Sequence, residues 1–258
     1  GDKWELSGRG FMNKSWDAFV PPPELWREVF RVMKSGAHGL VFAGTRTQDL
    51  MSVSLRLAGF EVRDTLMWVY GSGFPKSHNV ALSIDKIHGH PNRGRAIPVA
   101  SRYQASDTEE ANKLTSNRVE AYEGKSERSQ EWAGWGTALK PAYEPVILIR
   151  KPLRGTIAQN VLENGVGGIN INATRIALGE AESTYVEPRA HSGGGRWPAN
   201  VLFDSEAAEM LDAQSGGASR FFYTSKANRK EREAGLTPAE GGNRANTHPT
   251  VKPLDLMR

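Results

Sequence analysis

Apolar positions recur at helical spacing through PPPELWREVFRVMKSGAHG, where Leu25, Trp26, Val29, Phe30 and Met33 predict one helix face. Prolines suit its start, and Gly36 suits a left-handed C-cap. The short continuous apolar run from Gly39 to Ala43 then reads as a strand covered on both faces. Thr45 and Gln48 are spaced as a capping box for a second helix through Leu50, Met51, Leu55 and Ala58, closed by Gly59. FEVRDTLMWVYG follows as another strand. Helix, strand, helix and strand at these lengths predict an α/β protein with a parallel sheet.

A short helix is expected from Ser77 to Ile87. From about residue 88 to 131 the chain is polar, without period or core material, and its length marks a functional loop. Pro145 to Arg150 is the strongest strand pattern in the chain. Beyond it, Thr156 to Ala245 mixes short elements with glycine clusters, in the texture of an inserted α+β module. Three parts are therefore expected: residues 1–153 as a partial core carrying the polar excursion, 154–245 as the insertion, and 246–258 as the start of a further segment. In that last stretch, NTHPTVKPLDLMR, Pro253 fits a first helical position and Leu254, Leu256 and Met257 begin an apolar face. One helical turn is unstable alone, so the expectation is that this chain is an internal portion of a longer protein.

Of the 258 residues 38% are hydrophobic, lean for a compact globule and consistent with long polar loops. No run approaches the roughly 18 apolar residues of a membrane span, and no charged-then-apolar leader is present, so a soluble, unsecreted chain is expected. The sequence has no cysteine, which removes disulfides and thiolate metal sites and fits a reducing cytoplasm. Charge is unevenly placed. Residues 220–258 carry eight Lys/Arg against four Asp/Glu, while the rest of the chain balances at 25 against 25. The whole net charge of +4 thus lies in the last stretch, either as a solvated helix face or beside a polyanion.

Several motifs fail on chemistry. GSGFPKS lacks the glycine that precedes a Walker lysine, and Pro75 removes a backbone donor there. GVGGIN has Asn170 where a dinucleotide fingerprint has its third glycine. His88 and His90 have no third ligand at metal spacing, so no metal is expected. The aromatics are more informative. Trp68 and Tyr70 end a strand beside Gly71, Gly73 and Phe74, and strand carboxyl ends line ligand crevices in open α/β sheets; core packing is the competing reading. RFFYTSKANRKEREAG interleaves rings with cations, as suits stacking on bases and contact with phosphates, or else an amphipathic packing element.

Taken together and in order, GFMNKSWD, ELWREVFRVMKSGAHGLVFAGTRT, FEVRDTLMWVYGSGFPKS, GTALKPAYEPVILIRKPL, GRWPANVLFD, RFFYTSKANRKER and HPTVKPLDLMR resemble bacterial and phage DNA methyltransferases that modify an exocyclic amino group, in the permuted arrangement called the beta class. The resemblance covers nearly the whole chain outside the polar excursion. It implies a partial Rossmann-like methyltransferase sheet, an inserted target-recognition region, S-adenosylmethionine as cofactor and double-stranded DNA as partner, with a companion restriction endonuclease and no membrane. In that family a D/S-P-P-Y/W motif precedes the GFM stretch and a glycine-rich cofactor loop follows HPTxKP.

The resemblance also assigns residues. Asp2 and Trp4 stand where the catalytic tetrad would be, without its prolines, and the chain alone is expected to be inactive. His248, Pro249, Thr250 and Lys252 would frame the cofactor, and Gly44, Trp68, Tyr70, Gly71, Gly73 and Phe74 would line the cleft. Lys76, Arg196, Arg220, Tyr223, Lys226, Arg229 and Lys230 would meet DNA. Adenine N6 is the expected target, with cytosine N4 or a catalytically dead DNA-binding derivative as alternatives.

Overall fold

The computed structural model describes residues 19–71, 73, 77–90, 122–176, 195–225, 229–236 and 252–254. The chain divides into two compact units, residues 1–73 with 142–258, and residues 74–141. The first unit is a mixed α/β layer structure. Helix α1 (Pro23–Val32) leads into β1 (His38–Phe42), and α2 (Gln48–Leu57) leads into β2 (Glu61–Val69). After the second unit come β3 (Tyr143–Arg150), α5 (Ile157–Asn164), β4 (Val201–Phe203), α6 (Ser205–Ser215), β5 (Tyr223–Thr224) and α7 (Arg229–Glu233). Helices α3 (Val80–Ile87) and α4 (Glu127–Glu131) belong to the second unit.

The sheet has the order β1-β3-β2-β4-β5. Its strands are not all parallel, which corrects the expectation from the element rhythm. β3 runs against both neighbours, pairing His38 with Arg150 and Phe42 with Val146 on one side, and Glu61 with Arg150 and Trp68 with Glu144 on the other. β2–β4 and β4–β5 are parallel. The misreading has a physical source. Val146, Ile147 and Ile149 are buried, so β3 shows the unbroken apolar run of a doubly covered strand whichever way it points.

One face of the sheet makes the core. Ile147 and Ile149 join Val20, Met51, Leu55, Ala58 and Phe60, with Trp26, Val29, Phe30, Met33, Leu50, Val41 and Val62 packed around them. Phe30 and Phe60 meet edge to face at 5.1 Å. Leu25 is the exception to the helix pattern and lies exposed. α1 also ends earlier than Gly36, because Met33 is already extended. Gly36 instead occupies a left-handed turn at φ 81°, where a Cβ would come within 2.2 Å of the Asn160 amide nitrogen. The helix end is closed by Lys151, whose Nζ donates to the Phe30 and Met33 carbonyls at 2.7 and 2.8 Å and lies 4.5 Å from the centre of the Phe30 ring. A cation there also opposes the negative end of the helix dipole.

The capping box expected from Thr45 and Gln48 does not form. Thr47 is the N-cap of α2 and makes no capping bond with its side chain, whose hydroxyl donates back to the Gly44 carbonyl at 3.3 Å. A true capping box occurs at α5, where Thr156 and Gln159 satisfy each other's backbone donors. Asn160, fully buried, donates to the Ser35 and Val166 carbonyls at 2.9 and 2.7 Å and accepts from the Arg154 N–H at 3.2 Å. It thereby fastens α5 to the turn before β1.

The second unit depends on one carboxylate. Asp85 on α3 is fully buried and accepts from Tyr122 Oη (2.6 Å), the Lys125 N–H (2.7 Å), the Ser126 N–H (3.0 Å) and Ser126 Oγ (2.8 Å). Ser126 in turn caps α4. The polar excursion is therefore tied at its base and ends in a short helix, where the sequence pattern showed neither period nor core. Burial pushes the Asp85 carboxyl up, but these hydrogen bonds outweigh it and hold the group well below the usual carboxylate range.

Two outcomes follow from these contacts. Ile147→Ala is expected to remove about 2–5 kcal/mol of stability, read as a lower urea midpoint at unchanged slope. Because the folded-state pKa of Asp85 is depressed, the stability it contributes is fully present above about pH 4, the unfolded value, and is lost as pH falls toward the folded value. Amide protection factors in α3 and α4, with the intrinsic pH dependence of exchange divided out, should therefore fall on acidification below that point, and Asp85→Asn should flatten the response; an unchanged profile in the variant would contradict the assignment.

Candidate functional site

Because β1, β2 and β4 are parallel and β3 opposes them, three strand exits and the entrance of β3 gather at one end of the sheet. Ladder bonds hold this rim together. Ala43 N donates to the Pro145 carbonyl at 3.0 Å, Tyr70 N to Ala142 at 2.9 Å, and Asp204 N to Val69 at 2.8 Å. The Asp204 side chain, buried, accepts from the Ala207 N–H at 2.7 Å as N-cap of α6 and from the Gly71 N–H at 3.3 Å. Gly71 has little room for more, since a Cβ there would come within 2.7 Å of Glu206 Cγ.

Alternation along the strands puts Trp68, Glu144 and Phe42 on the sheet face opposite the α1–α2 core. Lys252, over 100 residues later in the chain, docks there. Its Nζ lies 2.7 Å from Glu144 Oε2, 5.5 Å from the centre of the Phe42 ring and 5.8 Å from that of Trp68. Pro253 beside it is fully buried and anchors the segment. An ammonium half removed from water is stabilised both by its carboxylate and by the negative ring faces. Trp68 is only 3% exposed, and its indole Nε1 is buried without an acceptor among the described residues. It meets Tyr70 edge to face at 5.9 Å. Burial, and then the Glu144 charge, push the Tyr70 hydroxyl up to about 12, so this phenol is a neutral donor at physiological pH.

The structure thus brings Trp68, Tyr70, Gly71 and Lys252 to one rim, with Gly44 exposed just past β1 and Gly73 half-buried just past Gly71. Phe42, Glu144 and Asp204 belong to the same rim and carried no distinguishing pattern. Phe42 sits in an apolar run, and Glu144 is a single acid whose partner lies far away in sequence. Asp2, Trp4, Phe74, Lys76, Lys226, His248, Pro249 and Thr250 lie outside the described residues. Tyr223 is exposed on β5, paired across from Leu202, and Lys230 is exposed on α7, which Arg229 begins.

Arg196 and Arg220 stand elsewhere in the same unit, next to β4 and β5. Arg196 pairs with Ile176 in an antiparallel bridge, lies 4.6 Å from the centre of the Phe221 ring, and donates to the Arg220 carbonyl at 3.3 Å. The Arg220 guanidinium is 4.5 Å from the same ring. Among the described residues no group of three or more His, Asp or Glu could hold a metal ion, and no helix is long and apolar enough to cross a membrane.

A type II methyltransferase of Haemophilus influenzae, M.HindIII, is 27% identical to this chain over 154 residues, a stretch that makes up 58% of this chain. The chain spans 38% of the length of that curated relative. No family model matches the chain, and no solved structure matches it.

The Lys252–Glu144 contact is open to a double-mutant cycle. Lys252→Met is expected to cost about 1–2 kcal/mol by leaving the half-buried Glu144 unpaired, and Glu144→Gln a similar amount. Measured by chemical denaturation, the double variant should be more stable than the sum of the singles implies, by at least about 0.5 kcal/mol. Strict additivity would show that the two groups do not interact.

Proposed function

We propose that this chain is part of an S-adenosylmethionine-dependent DNA methyltransferase that modifies an exocyclic base amino group, adenine N6 in preference to cytosine N4. The observation that carries the reading is the convergence at the sheet rim. Trp68, Tyr70, Gly71 and Lys252, which the family resemblance places around cofactor and target base, stand together at the strand exits, where open α/β sheets bind ligands. The likeness to a type II methyltransferase supports it independently of geometry.

In this reading the rim fits a sulfonium cofactor in two respects. Phe42 and Trp68 already face one cation, the Lys252 ammonium, and the Trp68 N–H is a buried donor without an acceptor among the described residues. The cofactor, when bound, supplies an electrophilic methyl group. The chain's own residues would shape its site: Glu144 orients Lys252, the buried Asp204 fixes the turn at Gly71, and Tyr70 offers a neutral hydroxyl. An exocyclic amine is a poor nucleophile because its lone pair is delocalised into the ring. The family tetrad accepts the amino hydrogens and stacks on the extruded base. D/S-P-P-Y/W does not occur in this sequence, and Asp2 and Trp4 lack its prolines, so we propose further that the chain by itself transfers no methyl group. Residues 154–245 would read the target and 246–258 would open the cofactor segment. The fold would then be a partial Rossmann-like sheet, with cytoplasm and a companion endonuclease as its setting.

Nucleoside mass spectrometry decides the matter. The complete reading frame containing this chain, expressed in a methylation-deficient bacterial host, is expected to leave N6-methyladenine in the genomic DNA, and the 258-residue chain alone to leave none. N4-methylcytosine would move the assignment to the alternative base. No methylated base from the complete frame would overturn the enzymatic reading and favour a DNA-binding derivative.

A further inference from the structure

The second unit carries an outward pattern that its own packing does not use. α3 and α4 lie side by side, and the residues they bury are small or polar: Ala81, Asp85 and Ser129 are each fully buried. The large apolar residues point elsewhere. Ile84, Ile87 and His88 along α3 and its C-cap, and Arg128, Glu131 and Trp132 along α4 and its C-cap, each keep the i, i+3, i+4 spacing of one helix face, and together they line a groove of about 410 Å³. Ile87 is 84% exposed and Trp132 42%.

Hydrogen bonds on the inner side hold this outer face in place. Asp85 fastens Tyr122, Lys125 and Ser126 to α3, and Ser126 and Ser129 satisfy each other's backbone donors at the start of α4. Past α4, Trp132 and Trp135 meet edge to face at 5.0 Å, and the Trp135 carbonyl accepts from the Val80 N–H at 3.1 Å, which returns the chain to the start of α3. The two helices are thus locked to each other by the chain itself.

A contiguous apolar patch held open to water is unfavourable, and such patches mark surfaces that another surface covers. The charges on this one identify its occupant. Arg128 and Glu131 share a helix face with Trp132, carry opposite signs, and make no ion pair or hydrogen bond with their side chains among the described residues. One cation and one anion separated by about 4.5 Å along a helix axis form a self-complementary surface: a two-fold axis normal to the face sets Arg128 of each copy against Glu131 of the other and brings the apolar residues together. A partner presenting a single sign of charge would leave one of the two facing a like charge.

We infer that two copies of this chain associate through the α3–α4 face about a two-fold axis, with Ile84, Ile87 and Trp132 at the centre of the contact and reciprocal Arg128–Glu131 pairs at its edge. The patch is small, so the dimer belongs to the weak and reversible class of interfaces. Association requires no cofactor, DNA or methyl transfer and is read independently of the proposed function.

The test is sedimentation velocity of the full 258-residue chain between about 1 and 200 µM, the range in which a small interface assembles. The unaltered chain is expected to pass from monomer to dimer across that range. Trp132→Ala should raise the dissociation constant about tenfold or more. Arg128→Glu alone, or Glu131→Arg alone, sets like charges against each other twice per dimer and should weaken association about tenfold. An equimolar mixture of those two charge variants restores both opposite-charge pairs and should form a heterodimer about as tightly as the unaltered chain forms its dimer. No recovery is expected if either residue acts only within its own chain, and a mixture that fails to recover would overturn the inference. A monomeric unaltered chain at about 200 µM would also overturn it and leave the face to a different occupant, as would a dimer that all three variants leave unchanged. Should Trp132→Ala unfold by circular dichroism, the two charge variants and their mixture decide by themselves.

Discussion

The reversal of β3 is the constraint from which the rest of the first unit follows. A strand inserted antiparallel between two parallel ones must begin where they end, and so Glu144 enters beside Trp68 rather than at the far edge of the sheet. The same strand supplies Ile147 and Ile149 to the core beneath α1 and α2. Its alternation therefore does two things at once: odd-numbered residues glue the layers and Glu144, on the other face, receives Lys252. Apolar burial on one face fixes the register, and a slip by one residue would exchange the two sets. The geometry of the rim is thus guaranteed by hydrophobic packing, not by the polar groups that occupy it.

How much of this was legible in the sequence depends on the range of the interaction. Local periodicity located α1, β1, α2, β2 and β3 to within a few residues, because Trp26, Val29, Phe30 and Met33, or the apolar run at 146–149, report burial directly. Direction was not legible, since burial carries no information about which way a strand runs. Competition between caps was also hidden: Thr45 had the spacing, but the chain turns so that Thr47 precedes the helix. Asp85 looks like a solvated acid on a short helix until residues 122–126 are brought against it. Lys252 was legible only through a motif read as part of an ordered set, whereas Glu144 and Phe42, which hold it, had no signal of their own. The contact of Arg175 with the Trp197 ring was hidden for a similar reason. The partners lie in separate segments, and pattern along one segment cannot show that.

The rim and the arginine-aromatic cluster differ in how their charges are managed. At the rim, Lys252 is half-buried and paired with a carboxylate, which suits a site where one cation must be held in a fixed place. Beside β4 and β5, the Arg175, Arg196 and Arg220 guanidiniums lie against rings and backbone carbonyl oxygens, which orient them. The Lys252 contacts are built on β1, β3 and β2 and the arginine cluster lies beside β4 and β5, the two being joined through the parallel pairs Val69–Phe203 and Leu202–Tyr223.

The central claim is that the strand exits around Trp68 form the wall of a cofactor cleft, and the indole N–H of Trp68 reports on it directly. In the complete protein labelled with 15N-tryptophan, addition of S-adenosylhomocysteine is predicted to shift the Trp68 indole resonance, assigned by Trp68→Phe, because the proposed cleft is walled by that buried donor. If the ligand binds by equilibrium dialysis while the Trp68 resonance stays in place and other tryptophans move, the cleft is elsewhere and the account is wrong.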